Sequence, residues 1–164
     1  FVLVGSGNPE EGELRPQLLD RFGLSVDVAS PTDIDERIEV IKRRDAYEND
    51  HTAFMVRWQA EDGMLRDQIT AAREALKELT TPEQSLRDVA ELCIALGSDG
   101  LRGELTLLKA ARAYAAFRDD TALTRGHIRD VAPLALRHRM RRDPLDDAGS
   151  GIRVARIVEE TLGT

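Results

Sequence analysis

Apolar residues recur at spacings of three and four positions from about residue 64 to the end of the chain. This spacing places them on one face of an α-helix, so each run predicts an amphipathic helix with a buried stripe. The predicted stripes are Leu65-Ile69-Ala72-Leu76-Leu79, Leu86-Val89-Ala90-Cys93-Leu96, Leu105-Leu108-Ala111-Ala115, Ile128-Val131-Ala135-Leu136 and Val154-Ile157-Val158-Leu162. Because only 4% of the residues are aromatic, the core of this predicted helical bundle must be mainly aliphatic.

The first part of the chain has a different pattern. Residues 1–4 form a continuous apolar run, typical of a strand buried on both faces, and residues 24–28 alternate apolar and polar side chains as a strand does. Residues 16–22 between them predict a short helix, whereas the polar stretch 47–63, with an isolated Trp58, predicts an irregular linker with at most a short helix. The predicted organisation is therefore an α/β remnant over residues 1–46, a linker over 47–63 and a mainly α-helical domain over 64–164.

Composition and spacing exclude several classes of protein. A net charge of −7 argues against a general nucleic-acid binder, which normally carries a basic surface. No apolar run approaches the roughly 20 residues of a membrane span. His51, His127 and His138 lack metal-ligand spacing, and Cys93, the single cysteine, lies in an apolar run that favours a core position. We therefore expect no nucleic-acid partner, no membrane span and no metal site.

The first candidate site is the run Gly5-Ser6-Gly7-Asn8-Pro9 at the end of the first predicted strand. Ligands of α/β proteins collect outside the carboxyl ends of strands, and the amide of Asn8 could contact both a water and a phosphate oxygen there. A plain strand-to-helix turn explains the same residues, and the pattern alone favours that interpretation.

The second candidate is Arg21, which follows Asp20 near the end of the predicted short helix. A guanidinium directed outward at this position could offer planar donors to phosphate oxygens on another subunit. The alternative is a surface charge cluster formed by Asp20 and Arg21.

The third candidate is the glycine-rich run from Gly97 to Glu104, which leads into a predicted helix. The free N–H groups at a helix start face anions, and Arg102 would add a full positive charge at that end. A simple helix cap is the alternative.

A basic run, RHRMRR over residues 137–142, closes the fourth predicted helix of the bundle. Cations at a helix C-terminus compensate the negative end of the helix dipole. We therefore interpret this run as dipole compensation and solvation, in preference to nucleic-acid binding.

Three motifs in this order resemble the ATPase (I) subunit of magnesium chelatase, an AAA+ protein. Residues 5–23 (GSGNPEEGELRPQLLDRFG) look very like the second half of its AAA+ core, and residues 95–104 (ALGSDGLRGE) and 141–145 (RRDPL) are similar to its lid. MoxR-type relatives share Asn-Pro and Leu-Asp-Arg-Phe but lack the intervening run. The resemblance extends along essentially the whole chain.

This resemblance implies a role for each candidate. Asn8 would be sensor 1, Arg21 the arginine finger acting on ATP held by the next subunit of a ring, and Arg102 sensor 2, which contacts the γ-phosphate. It further implies ATP and Mg²⁺ as cofactors, a homo-oligomeric ring with D and H subunits as partners, Mg²⁺ insertion into protoporphyrin IX for (bacterio)chlorophyll synthesis, and a bacterial cytoplasmic location.

The sequence departs from that family in one respect. No G-x-x-x-x-G-K-[S/T] loop and no apolar run ending in Asp-Glu occurs in these residues, and the chain starts at Phe1 inside a strand-like run. We therefore expect those motifs upstream and no ATP hydrolysis by this chain alone. A MoxR-like AAA+ chaperone ATPase and a non-enzymatic helical interaction module are the alternative functions.

Overall fold

The structure is a computed structural model, and it describes residues 2–8, 15–98, 100–140 and 149–163. Helices occupy most of these residues, which confirms the predicted helical bundle. They are α1 (Pro16–Leu19), α2 (Ile34–Asn49), α3 (His51–Glu78), α4 (Glu83–Ala95), α5 (Arg102–Phe117), α6 (Arg125–Leu136) and α7 (Gly149–Leu162), with a 3₁₀ turn, Arg137–Arg139, directly after α6. Among them, no helix is both long enough and apolar enough to cross a bilayer.

The two predicted strands do not form in the described part of the chain. Residues 2–4 and 24–28 have no strand partner, and the side chains of Val2, Val4 and Val28 are exposed. An extended segment becomes a strand only when a neighbour accepts and donates its backbone hydrogen bonds. The described residues supply no such neighbour; their β-type pairing is limited to an isolated bridge between Thr80 and Ala122.

Residues 47–63 are helical, so the prediction of an irregular linker is wrong. The end of α2 and the first half of α3 cover this stretch, and only Asp50 interrupts them. The Asp50 carboxylate accepts a hydrogen bond from the Ala53 amide at 2.9 Å, which caps α3. The predicted domain division at 47–63 depended on an irregular structure for this stretch. Since the stretch is helical, the division loses that support and stays a prediction.

Aromatic side chains stack across the junction between α2 and α3. They are Tyr47, His51, Phe54 and Trp58. The Tyr47 ring contacts the rings of His51 and Phe54, and the Phe54 ring contacts that of Trp58; the ring centroids in these pairs lie 4.7–6.1 Å apart. The Arg43 guanidinium lies 4.6 Å from the centroid of the Trp58 ring, a cation–π contact between the two helices. These rings recur at spacings of three and four residues, which is typical of a helix.

The hydrophobic core lies between α4, α5, α6 and α7. Its fully buried large side chains come from all four helices and the α5–α6 loop: Leu92, Cys93, Leu107, Leu123, Ile128, Leu136, Val154 and Leu162. All four residues predicted for the α6 stripe are buried. Cys93 is a core residue as predicted, and burial raises the pKa of its thiol to about 12.

The α5 stripe matches the prediction at Ala111 and Ala115, which are fully buried, and differs at its start. Leu107 is fully buried, whereas Leu105 is 54% exposed. Residues 107, 111 and 115 enter the core at a spacing of four. Gly103 is buried in the first turn of α5, where a Cβ would lie only 2.5 Å from the Ser98 hydroxyl.

A buried ion pair joins α4 to α6 beside this core. Asp88, which is 2% exposed, accepts hydrogen bonds from Arg125 Nη2 at 2.8 Å and Nε at 3.2 Å, and from Gln84 at 3.0 Å. The Arg125 hydrogen bond is the main cause that lowers the pKa of Asp88 below its usual range. The carboxylate therefore stays charged and fully partnered inside the bundle.

Leu107→Ala should reduce the free energy of unfolding by about 2–5 kcal/mol, since it leaves a cavity in the middle of the bundle. Leu105→Ala is the matched control on the same helix and should change it by no more than about 0.5 kcal/mol. Urea denaturation of both variants measures the difference. Equal losses of stability in the two variants would mean that Leu105 is buried, as the sequence pattern predicted.

Candidate functional site

Arg21 lies in a tight turn directly after α1. The amides of Arg21 and Phe22 donate to the carbonyls of Leu18 and Leu19, each at 3.0 Å, so the chain reverses over residues 20–22. We call these residues the 20–22 turn. Its middle residue, Arg21, is exposed, whereas Asp20 and Phe22 on either side are half-buried. The turn thus leaves Arg21 exposed, and its action outside its own subunit stays a prediction.

Asp20 contacts two arginines from the helical bundle. Its Oδ1 accepts from Arg139 Nη1 at 2.6 Å, and its Oδ2 forms an ion pair with Arg102 Nη1. Arg102 is the first residue of α5, and its side chain is 61% exposed. The carboxylate beside one predicted site arginine, Arg21, is therefore the partner of the other, Arg102.

Arg139 belongs to the 3₁₀ turn after α6, and its side chain is only 5% exposed. Besides the Asp20 carboxylate, it donates to the Asp20 carbonyl at 2.9 Å, to the Phe22 carbonyl at 2.6 Å and to the Ala135 carbonyl at 3.1 Å. The rigid fork of a guanidinium suits several acceptors at once. The 20–22 turn is consequently fixed to the end of α6.

Two further contacts hold the residues after the 20–22 turn against the end of α6 and the 3₁₀ turn. The Ser25 amide donates to the Leu134 carbonyl at 2.8 Å, and Asp27 forms an ion pair with Arg137. The Arg137 side chain is 19% exposed. The interpretation of residues 137–142 as a solvated basic run is therefore wrong for Arg137 and Arg139, because their donors meet carboxylates and carbonyls of residues 20–27. Residues 141 and 142 lie outside the described residues.

His138 reinforces the contact with Phe22. Its Nε2 donates to the Phe22 carbonyl at 3.0 Å, while its buried Nδ1 has no hydrogen-bond partner. Burial lowers the pKa of His138 below its usual value, and the neighbouring charges of Arg139 and Arg137 act in the same direction; the Phe22 hydrogen bond and Asp20 oppose them. The neutral imidazole is thus the form that fits this position.

Asn8 approaches the site through its own segment. Gly5, three residues earlier, lies against the Phe22 ring, since a Cβ built there would be 3.8 Å from that ring. Asn8 itself is exposed. The rest of the first motif, residues 9–14, and the third motif, residues 141–145, lie outside the described residues. The structure therefore places Gly5, from the same segment as Asn8, beside the 20–22 turn.

The described residues suit part of a nucleotide site. Arg21 and Arg102 offer exposed guanidinium groups, the donors that phosphate oxygens prefer. Within residues 2–8, 15–98, 100–140 and 149–163, no group of three or more His, Cys, Asp or Glu side chains could hold a metal ion. The chemistry of the two guanidinium groups suits a triphosphate, and the contact of these residues with ATP stays a prediction.

Comparison with known proteins assigns the class. The family described as "AAA lid domain" matches residues 86–161, which span α4 to α7, so this bundle is the lid of an AAA protein. Over 99% of its length, the chain is 68% identical to the magnesium-chelatase 38 kDa subunit of Cereibacter sphaeroides and 64% identical to that of Rhodobacter capsulatus. Over nearly its whole length the chain is therefore similar to the magnesium-chelatase 38 kDa subunits, as its motifs predicted.

The matches cover nearly all of this chain but only part of each relative. The chain spans about half the length of the curated relatives it matches, 48% and 46% for the two named above. A solved structure described as a model of the complex between subunits BchI and BchD of magnesium chelatase is 57% identical; the match covers 99% of this chain and 47% of that chain, with a TM-score of 0.39.

His138→Gln should weaken the pH dependence of stability between about pH 7.5 and 5.5. The folded chain has the lower pKa for His138, so the stabilisation is complete above the ordinary value of 6.5 and is lost as the pH falls. Gln can still donate to the Phe22 carbonyl but does not titrate. The free energy of unfolding, measured in urea at both pH values, gives the comparison.

The chosen pH range isolates this histidine from the buried carboxylate. The pKa of Asp88 is lowered from 3.8, so its own stabilisation is lost only under more acidic conditions. Parallel losses of stability in the parent and in His138→Gln would show that the buried imidazole is not the group that titrates.

Proposed function

We propose that these residues form the lid and the adjoining end of the AAA+ core in the motor subunit of a magnesium chelatase, which uses ATP to drive Mg²⁺ insertion into protoporphyrin IX for (bacterio)chlorophyll synthesis. The observation that carries this proposal is the identity of 62–68% over nearly the whole chain to three magnesium-chelatase 38 kDa subunits. The same relatives favour it over a MoxR-like chaperone ATPase or a non-enzymatic helical module.

In this proposal, the three predicted site residues act on two different nucleotides. Arg21 is the arginine finger and reaches the ATP of the next protomer, where it stabilises charge on the phosphoryl group in transfer. Arg102 is sensor 2 and contacts the γ-phosphate of ATP bound by its own protomer, and Asn8 is sensor 1 beside that same phosphate. The exposed guanidinium groups of both arginines support these roles.

Asp20 connects these two roles through charge. In the described structure, its carboxylate pairs with Arg102 while its neighbour Arg21 is directed into solvent. A γ-phosphate competes with Asp20 for Arg102, because the γ-phosphate group carries more negative charge than a carboxylate group. Binding of ATP therefore removes one of the two ion pairs that hold the residue next to the finger.

The assembly and its location follow from the family. We propose a homo-oligomeric ring that works with a D subunit and an H subunit in the bacterial cytoplasm; the 57%-identical relative described in complex with BchD supports the D-subunit contact. Residues 1–46 would belong to the core and 64–164 to the lid. The 164 residues alone would not hydrolyse ATP, because the phosphate-binding loop and the main Mg²⁺ ligands are not among them.

The test of this function is reconstitution. The full-length protein that contains these residues, mixed with H and D subunits, protoporphyrin IX, Mg²⁺ and ATP, should form magnesium protoporphyrin. Arg21→Ala should keep ATP binding and lower hydrolysis by about 10³–10⁵, the range for arginine fingers. Arg87→Ala, on an exposed face of α4, is the control and should match the parent.

The two possible failures have different meanings. No porphyrin metallation by an actively hydrolysing parent would favour the chaperone ATPase. Unchanged hydrolysis in Arg21→Ala would remove the finger assignment while leaving the chelatase assignment intact.

Arg102→Ala should leave ring formation intact and reduce the conformational response to ATP, since the lid then lacks its contact with the γ-phosphate. Limited proteolysis of the full-length protein, with and without a non-hydrolysable ATP analogue, measures that response. Arg87→Ala again serves as control. Parental protection by the analogue in Arg102→Ala would contradict the sensor 2 role.

A further inference from the structure

We propose that Arg139 is a positioning residue for the arginine finger: its buried guanidinium fixes the backbone on both sides of Arg21 and attaches the finger to the lid. This inference rests on the proposed function. Neither the sequence motifs nor the comparisons assign a role to Arg139.

The first support is the arrangement of acceptors around Arg139. Three of its hydrogen bonds go to the 20–22 turn, and they reach Asp20 before the finger and Phe22 after it. Their lengths are 2.6–2.9 Å, as expected for charge-assisted bonds. The fourth bond, to the Ala135 carbonyl, fixes the guanidinium to α6. The backbone of Arg21 is therefore held at both ends while its side chain stays exposed.

The second support is the difference between the two arginines on Asp20. The Arg139 side chain is almost entirely buried, whereas Arg102 pairs with the same carboxylate largely in solvent. Exposed ion pairs contribute little to stability and exchange readily, whereas a buried cation that loses its partners is strongly destabilised. Arg139 is thus the lasting partner of Asp20, and Arg102 is the partner that can leave for a phosphate.

The consequence concerns the movement of the finger. Because His138 and Arg139 bond the 20–22 turn from the end of α6, the turn moves with the lid as one body. A lid that shifts in response to ATP in its own protomer then shifts the finger that serves the neighbouring ATP. An error of about 1 Å in such a position can cost about 10² in rate, so this attachment is a sensitive control point.

The closing experiment uses Arg139→Lys in the full-length protein, because Lys keeps the charge but cannot reach several acceptors with one planar group. The variant should lower kcat for ATP hydrolysis by about 10² while KM for ATP stays within about twofold. Arg129→Lys, an exposed arginine of α6, is the matched control and should leave both constants unchanged.

A mixed ring separates positioning from a general defect. The second component is a full-length copy whose phosphate-binding lysine is replaced by Ala; it cannot bind ATP but carries an intact finger and an intact Arg139. Mixed in equal amounts with Arg139→Lys, it should raise turnover several-fold per intact nucleotide site, because the finger acts on the neighbour's ATP. A purely structural loss within the variant protomer would not be rescued in this way.

Two comparisons make the outcome decisive. Rescue of Arg21→Ala but not of Arg139→Lys would overturn the role of Arg139, whereas rescue of neither would overturn the finger assignment itself. If Arg139→Lys fails to assemble, Arg139→Gln takes its place in the same mixture. Failure of both variants to fold would also overturn the proposal, since Arg139 would then serve the whole domain and not the finger.

Discussion

Burial of one apolar stripe from each of α4, α5, α6 and α7 is the interaction on which the rest of the structure depends. The core contains aliphatic side chains, small alanines and one cysteine, so the helices approach closely and their relative rotation is tightly specified. The Asp88–Arg125 pair links α4 to α6, and the bare backbone at Gly103 leaves room for Ser98 beside the first turn of α5. The packing of the four helices determines where the ends of α5 and α6 lie.

Those two helix ends create the site. The start of α5 supplies Arg102 and the end of α6 supplies Arg139, and both guanidinium groups reach the carboxylate of Asp20. An aspartate whose carboxylate pairs with one buried and one exposed cation can keep its backbone position when the exposed cation leaves. This asymmetry in solvent exposure, and not the number of ion pairs, allows the site to be rigid and responsive at once.

The sequence patterns were informative wherever a helix buries its own regular stripe, as α6 and α7 show. They were less informative where the deciding contact comes from elsewhere in the chain. The burial of Leu107 in place of Leu105 depends on how α5 packs against its neighbours, which no count of apolar spacing contains. The strand-like residues 24–28 bond to the end of α6, for which local sequence gives no sign. Spacing of rings from Tyr47 to Trp58, in contrast, was a readable helical signal.

The candidate site residues divide in the same way. Arg21 and Arg102 were singled out because family motifs surround them, although position in the sequence could not show that Asp20 lies beside both. Arg139 was not singled out because a basic run at a helix end has a general electrostatic explanation. Its partners Asp20 and Phe22 lie more than a hundred positions earlier in the chain, so only the folded structure shows its hydrogen bonds and its burial.

The buried thiol of Cys93 gives this fold a built-in reporter. Only the thiolate reacts with alkylating reagents, and a fully enclosed sulfur with a pKa of about 12 is almost entirely protonated at neutral pH. Modification of Cys93 must therefore wait for α4 to separate from its neighbours. The rate of alkylation therefore measures how often the bundle opens, and the chain needs no engineered label.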